Sequence, residues 1–203
     1  MILGEYYQTK CRETGYNDEL KQRIESACEY CIDNMKSTVL GNPYYKGEHP
    51  LMLLGEIQSG KTRAYTGLMA LAFDNGFDYV FILTKNNKAL VEQTYKRMRK
   101  EFKTFIDQDK VDVNDIMKLQ DELTPYELDK KLIIIAKKQK DNLHRISSFI
   151  KYTMINGEKN CLIVDDEADT ASIGYEKVKD TMEDFNLRTV AAEVDKIRGS
   201  LDG

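Results

Sequence analysis

The sequence predicts an α/β fold built on a mainly parallel β-sheet. Two observations lead to this prediction: short runs that are apolar throughout, and longer segments of helical periodicity between them. Strands with apolar residues on both faces are typical of a parallel sheet that is covered by helices on both sides. The predicted strands lie near 51–54, 79–83, 132–136 and 161–164, and the predicted helices near 60–74, 87–104 and 141–154.

An amphipathic helix and a linker precede this alternation. Over residues 17–39 the apolar side chains recur at helical spacing, at Leu20, Ile24, Cys28, Cys31 and Met35. Residues 41–50 are rich in proline and glycine, which indicates a connection. We therefore expect residues 1–50 to form an N-terminal helical extension and linker, and residues 51–203 to form the α/β domain. Within that domain the stretch 105–131 allows a short extra helix, with apolar residues at Val113, Ile116, Met117 and Leu119.

The composition limits the class of protein. Of the 203 residues 41% are hydrophobic, and the formal net charge is -4. This balance argues against an intrinsically disordered chain and against a free-standing basic nucleic-acid module. Every apolar run is far shorter than the roughly 20 residues that a transmembrane helix needs, and the N-terminus lacks the features of a secretory signal. We expect a protein of the cytoplasm without a membrane segment.

The four cysteines are expected to be reduced thiols rather than a disulfide framework. Cys28 and Cys31 form a CxxC pair, which binds zinc in proteins that supply a second pair of ligands. No second pair at metal-site spacing is found among the other cysteines and the histidines, which are Cys11, Cys161, His49 and His144. The favoured interpretation is two small apolar residues one turn apart on a helix face.

Residues 55–62 fit the phosphate-binding pattern G-x-x-x-x-G-K-[ST] at every fixed position. They follow an apolar run and precede a predicted helix, which is the context that this loop requires. Backbone N–H groups at a helix N-terminus favour phosphates, Lys61 suits the β- and γ-phosphates of a nucleotide, and the Thr62 hydroxyl suits Mg²⁺. The predicted cofactor-binding residues are Gly55, Glu56, Ile57, Gln58, Ser59, Gly60, Lys61, Thr62 and Arg63.

The strand predicted at 161–164 is followed by a group of carboxylates, which are Asp165, Asp166, Glu167 and Asp169. Like charges this close repel one another unless a cation lies nearby. Ligands of open α/β sheets bind at the carboxyl ends of the strands. We expect Asp166 to hold Mg²⁺ and Glu167 to polarise the attacking water, while Asp165 is also able to share the metal. Lys61, Asp166 and Glu167 are the predicted catalytic residues.

These motifs resemble the first RecA-like domain of superfamily-two helicases and translocases. The sequence Asp-Glu-Ala-Asp at 166–169 spells the DEAD signature of that superfamily. Residues 81–85 and 90–93 look like the strand and helix of its motif that touches the nucleic-acid backbone. The likeness covers roughly residues 51 to 173. It implies a three-layer P-loop NTPase fold, ATP and Mg²⁺ as cofactors, and hydrolysis of ATP.

A narrower resemblance is to the helicase-like ATPase region of bacterial and phage proteins described as endonucleases. Those proteins carry a G-x-I-Q-S-G-K-T loop and a D-D-E-A-D strand end followed by A-S-I, which are residues 55–62 and 165–173 here. This resemblance implies DNA as the partner and an endonuclease linked to the motor. The sequence departs from the helicase pattern at Gln58, where many helicases have glycine, and it has no clear adenine-reading glutamine, with Gln22 a weak candidate.

Two predicted strand ends carry the candidate nucleic-acid contacts, which are Thr84, Lys85, Lys137 and Lys138. Contact with phosphates and an ordinary solvated surface are both open for these residues, and the resemblance favours phosphates. Such contacts weaken with salt and carry little base preference.

The sequence lacks a second strand that ends in the Ser/Thr-Ala-Thr triplet of that superfamily and a second RecA-like domain with its arginine finger. We therefore expect the chain to be part of a longer protein. As an isolated ATPase it should be weak or inactive, because a missing arginine finger costs about 10³ to 10⁵ in rate. The alternative is a stand-alone module whose nucleotide state controls partner docking without translocation.

Overall fold

The computed structural model of the chain describes residues 1–39, 60–120, 123–157 and 159–166. The chain divides into two compact units, Met1–Asp78 and Tyr79–Gly203. The predicted strand at 51–54 and the predicted boundary between residues 50 and 51 lie outside the described residues. Along the described part of the chain, no helix combines the length and the apolar character needed to cross a membrane.

The described part of the first unit consists of three helices: α1 (Glu5–Thr14), α2 (Asp18–Val39) and α3 (Lys61–Asp74). Both α1 and α2 pack on α3. The packing is close at Gly67, where an added Cβ would lie 2.6 Å from Ile24 Cδ1 and 3.1 Å from Tyr16 Cε2. The predicted helices at 17–39 and 60–74 are confirmed, whereas the sequence analysis identified no helix at the position of α1.

The end of α3 also holds the start of the chain. Asp74 accepts hydrogen bonds from the backbone N–H groups of Tyr6 and Tyr7 at 3.1 and 2.9 Å. Asn75 accepts from the N–H of Ile2 at 2.6 Å and donates its side-chain amide to the Ile2 carbonyl at 2.8 Å. The N-terminal segment is therefore tied to α3 by the last residue of that helix and by its C-cap residue.

The described part of the second unit contains a four-stranded sheet. Its elements are β1 (Tyr79–Thr84), α4 (Lys88–Glu101), α5 (Lys103–Asp107), β2 (Val111–Asp115), α6 (Pro125–Leu128), β3 (Lys131–Lys137), α7 (Lys140–Gly157) and β4 (Cys161–Asp165). The strand order is β2-β3-β1-β4, and every pairing is parallel. The prediction of an α/β fold with a parallel sheet is confirmed.

The direction of each connection explains how both faces of the sheet are covered. The connection from β1 to β2 and the connection from β3 to β4 run in opposite directions along the sheet. Because parallel crossovers are right-handed, α4 and α7 lie on opposite faces. On the α7 face, Phe81 and Ile134 belong to one buried cluster with Ile146 and Phe149. Val80 and Ile133 alternate with them and are also fully buried, as two covered faces require.

Two predictions for the second unit are wrong in detail. The short extra helix expected within 105–131 is present at Pro125–Leu128, but not at the apolar residues on which the expectation rested, because Val111–Asp115 forms the strand β2. Val111 and Val113 are buried on one face of this edge strand, and burial of every second residue is the pattern of a strand rather than of a helix. The single helix predicted at 87–104 is divided at Phe102 into α4 and α5, where the Phe102 and Phe105 rings are both buried.

Candidate functional site

The start of α3 has the backbone geometry of a loop that turns into a helix. Gly60 is the N-cap residue with φ 81° and ψ 20°, a left-handed conformation that glycine adopts without steric cost. Its carbonyl accepts the first helical hydrogen bond, from Ala64 N at 3.1 Å. Lys61 is exposed and Thr62 partly exposed in the first turn. The first amide groups of a helix have no partner inside the helix, so this end favours an anion.

Residues 55–59, which form the rest of the predicted phosphate loop, lie outside the described residues. The predicted cofactor-binding residues Gly55, Glu56, Ile57, Gln58 and Ser59 are among them, and the predicted catalytic residue Glu167 is outside the described part as well.

The Arg63 side chain contacts the N-terminal helices. Its guanidinium donates to the carbonyl of Thr14 at 2.8 Å and lies 5.8 Å from the centroid of the Tyr16 ring. Carbonyl groups at the end of a helix carry partial negative charge, which favours an arginine at this place. Any contact of Arg63 with a cofactor is therefore expected from its backbone N–H rather than from its guanidinium.

The carboxyl ends of β3, β1 and β4 meet at one edge of the sheet in the second unit. The N–H of Lys138 donates to the Thr84 carbonyl at 2.8 Å, and the N–H of Asp166 donates to the Leu83 carbonyl at 2.9 Å. Five of the residues predicted from the sequence are brought together at this edge, which are Thr84, Lys85, Lys137, Lys138 and Asp166.

Within this edge, Lys138 and Asp165 form a buried ion pair. Lys138 Nζ lies 2.6 Å from Asp165 Oδ1, and the two side chains are 0% and 13% exposed. At this distance the contact is an ion pair. The second carboxylate oxygen of Asp165 has no hydrogen-bond partner among the residues that the structure describes.

Burial separates the four predicted nucleic-acid residues into two pairs. Thr84 is buried, and its hydroxyl donates to the Ala136 carbonyl at 3.4 Å. Lys138 is buried on Asp165. These two side chains are not accessible to a phosphate in this structure, whereas Lys85 and Lys137 are partly exposed.

The sequence analysis did not identify Asn142, which shapes the turn after β3. This buried side chain accepts a hydrogen bond from the N–H of Lys137 at 3.2 Å. The contact reaches back five residues, unlike the Asx turn in which asparagine bonds to backbone two residues further on, so the sequence held no local signal for it.

The CxxC pair lies on α2 in the first unit. Cys28 is fully buried and Cys31 partly buried. Burial raises the pKa of Cys28 to about 12 and the pKa of Cys31 to about 11. Both groups therefore remain thiols at neutral pH and pack as small apolar residues. No cluster of three or more potential metal ligands among His, Cys, Asp and Glu occurs in the described ranges.

Comparison with known proteins identifies one family. The protein-family model described as "Type III restriction enzyme, res subunit" matches residues 16–190 of this chain. The match includes α2, α3, the whole described sheet and both predicted motifs. No curated protein matches the chain, and no solved structure matches it.

Proposed function

The chain belongs to the family of type III restriction enzyme res subunits, and from this premise we propose that it is a helicase-like motor domain that binds and hydrolyses ATP. The observation that carries the proposal is the start of α3. Gly60, the second glycine of the G-x-x-x-x-G-K-T pattern, has a left-handed conformation, and Lys61 and Thr62 complete the pattern in the first helical turn. That arrangement is typical of a loop that holds the phosphates of a nucleotide.

The residues of each unit fit Mg²⁺·ATP in their chemistry. The Thr62 hydroxyl and the Asp166 carboxylate are hard oxygen ligands, which Mg²⁺ prefers together with phosphate oxygens. When bound, the ion neutralises charge on the β- and γ-phosphates. Lys61 binds the same phosphates with its ammonium, and the loop amides orient them. Glu167 orients the water and accepts its proton.

A nucleic acid, and specifically DNA, is the proposed partner. Lys85 and Lys137 are the proposed phosphate contacts, because both are partly exposed at the carboxyl edge of the sheet. The buried Thr84 and Lys138 are left out of this proposal. Two lysines at adjacent strand ends suit a sequence-independent contact with a phosphate backbone.

We propose that this chain is part of a longer protein. That protein couples ATP hydrolysis to translocation on DNA and is linked to an endonuclease. The family description names a restriction enzyme, and the D-D-E-A-D strand end is the feature that resembles endonuclease-linked ATPases. A cytoplasmic location is part of the same proposal.

ATP hydrolysis stimulated by DNA tests this function in the full-length protein. We expect the Glu167→Gln variant to bind ATP with unchanged affinity and to lose at least about 100-fold in turnover, because the general base is removed. The Glu19→Gln variant is the matched control, since Glu19 is an exposed residue of α2 paired with Arg23. Normal turnover in Glu167→Gln would contradict the assigned role. ATP binding without hydrolysis in the wild type, with or without DNA, would favour a nucleotide-gated docking module instead.

A further inference from the structure

The buried pair Lys138–Asp165 joins two strands that are not neighbours. Lys138 follows β3 and Asp165 ends β4, and β1 lies between these strands. Neighbouring strands are about 4.8 Å apart, so the two backbones are separated by roughly 10 Å. A lysine side chain is long enough to reach an aspartate across that separation. The pair therefore bridges the end of β1.

The register of the sheet shows which face the pair occupies. Asp165 is aligned with Leu83, and Leu83 belongs to the buried cluster on the α7 face. Ala136 belongs to the same cluster, and Lys138 follows it by two residues. Alternation along a strand therefore places Asp165 on the α7 face. Asp166 follows the end of β4, and its N–H donates to the Leu83 carbonyl at 2.9 Å.

A buried ion pair is costly, which makes its presence informative. Removing two charges from water has a desolvation penalty that their attraction often fails to offset, so such pairs are weak evidence for a gain in stability. A buried ion pair is more readily explained where it fixes one arrangement of side chains among several that compete. Here the arrangements in competition are those in which Asp165 or Asp166 holds the cation, because the two carboxylates are adjacent in the chain.

We propose that Lys138 is a positioning residue, which holds Asp165 in a buried pair on the α7 face so that Asp166 alone of the two aspartates binds Mg²⁺. The inference rests on the proposed Mg²⁺·ATP site. It also gives the extra aspartate before the DEAD sequence a structural role, in place of the shared metal role that the sequence left open.

A double-mutant cycle on the full chain tests the pair without reference to activity. We expect Lys138→Met and Asp165→Asn each to lower the Tm by roughly 6 to 20 °C, because each leaves a buried charge without its partner. The double variant has neither charge, and its Tm should fall by less than that of either single variant. The matched control is the exposed pair of Lys103 and Asp107, where K103M and D107N should each shift the Tm by no more than about 4 °C. Additive losses, or a double variant that does not fold, would overturn the pairing.

The Mg²⁺ dependence of binding tests which aspartate holds the ion. With a fluorescent ATP analogue, we expect the K138M/D165N variant to keep the wild-type enhancement of binding by Mg²⁺ within about 3-fold. We expect Asp166→Asn to lose at least about 10-fold of that enhancement, because a charged oxygen ligand of the ion is removed. Enhancement that is lost in K138M/D165N and kept in Asp166→Asn overturns the inference while the proposed function stands. A wild-type chain that does not bind Mg²⁺·ATP contradicts the proposed function, and the thermal cycle then decides the pairing alone.

Discussion

The Asp74 carboxylate accepts a hydrogen bond from the backbone N–H of Tyr7 at 2.9 Å and so caps helix α1 from the far end of helix α3. The N-cap residue of α1 is Gly4, which has no side chain with which to cap its own helix. An added Cβ on Gly4 would meet the Asp74 carboxylate, so the glycine leaves the space that the remote cap occupies. Helix α3, which begins at the predicted phosphate loop, is thus fastened at its end to the N-terminal segment.

Removal of this cap should destabilise the first unit. We expect Asp74→Ala to lower the free energy of unfolding by about 1–2 kcal/mol, because two amide donors at the start of α1 lose their acceptor. Urea unfolding measures the change. Asp107→Ala is the control, since Asp107 is exposed and pairs only across a helix turn with Lys103, and its loss should be about 0.5 kcal/mol or less.

The Gly4→Ala variant checks the same cap independently. Its methyl group should displace the Asp74 carboxylate. The free energy of unfolding that is lost in G4A/D74A should therefore be smaller than the sum of the losses in the two single variants. Fully additive losses would contradict the remote cap.

The cap also predicts a pH dependence. Burial raises the pKa of Asp74, and this effect exceeds the opposite effect of the backbone hydrogen bonds from Tyr7 and Tyr6. The folded chain therefore holds this proton more tightly than the unfolded chain, in which the pKa is about 3.9. The contribution of Asp74 to the free energy of unfolding is greatest below the unfolded pKa and declines as the pH rises through the folded pKa.

Comparison with Asp74→Asn isolates this contribution, because asparagine has no proton to lose in the same range. The difference in unfolding free energy, wild type minus D74N, should fall as the pH rises through that window and then become constant. A difference that rises with pH would mean that the backbone hydrogen bonds outweigh burial.

Thiol labelling should show that the CxxC pair is inert. At about pH 8 a thiol with a pKa near 12 reacts on the order of 10³ times more slowly than an unperturbed cysteine, and one near 11 on the order of 10² times more slowly. We therefore expect Cys28 and Cys31 to be alkylated quickly in urea and very slowly in the native chain. Mass spectrometry of the labelled peptides measures both rates. Rapid native labelling at Cys28 would contradict its buried position.

The salt dependence of DNA binding should identify the phosphate contacts. Each contact with duplex DNA contributes about 0.9 to the slope of log K against log salt. We expect Lys85→Ala and Lys137→Ala each to reduce the slope by about that amount in the full-length protein, with equal weakening for different DNA sequences. Lys103→Ala, which removes an exposed lysine of α5 paired with Asp107, is the control and should leave the slope unchanged. An unaltered slope in both test variants would remove these lysines from the interface.

The strands with continuous apolar runs were predictable from the sequence. β1, β3 and β4 lie within a residue or two of the predicted positions, because each is an apolar run. β1 is buried throughout and β3 is buried except at its two end residues, while β4 is partly buried. β2 was misread because its sequence, Val-Asp-Val-Asn-Asp, contains residues that are depleted in strands, and only its valines are buried. α1 lacks an apolar stripe of its own, since Tyr7, Thr9 and Lys10 are its buried residues.

In the candidate site too, local motifs can be read from the sequence, whereas contacts that depend on the fold cannot. Lys61, Thr62 and Asp166 could be proposed from the sequence alone, because the predicted phosphate loop and the acidic strand end are local motifs. The pairing of Lys138 with Asp165 was not predictable, because it depends on the order of the strands in the sheet, which places β1 between them. The remote cap at Asp74 depends on helix packing for the same reason.

Binding of Mg²⁺·ATP by the Lys61→Ala variant tests the central claim most directly. Lys96→Ala is the matched control, because Lys96 is an exposed lysine on α4. The account predicts that Lys61→Ala weakens binding by about 10- to 100-fold, as expected for the loss of a charged hydrogen bond to phosphate, while Lys96→Ala binds like the wild type. Equal affinity of Lys61→Ala and the wild type would contradict the account.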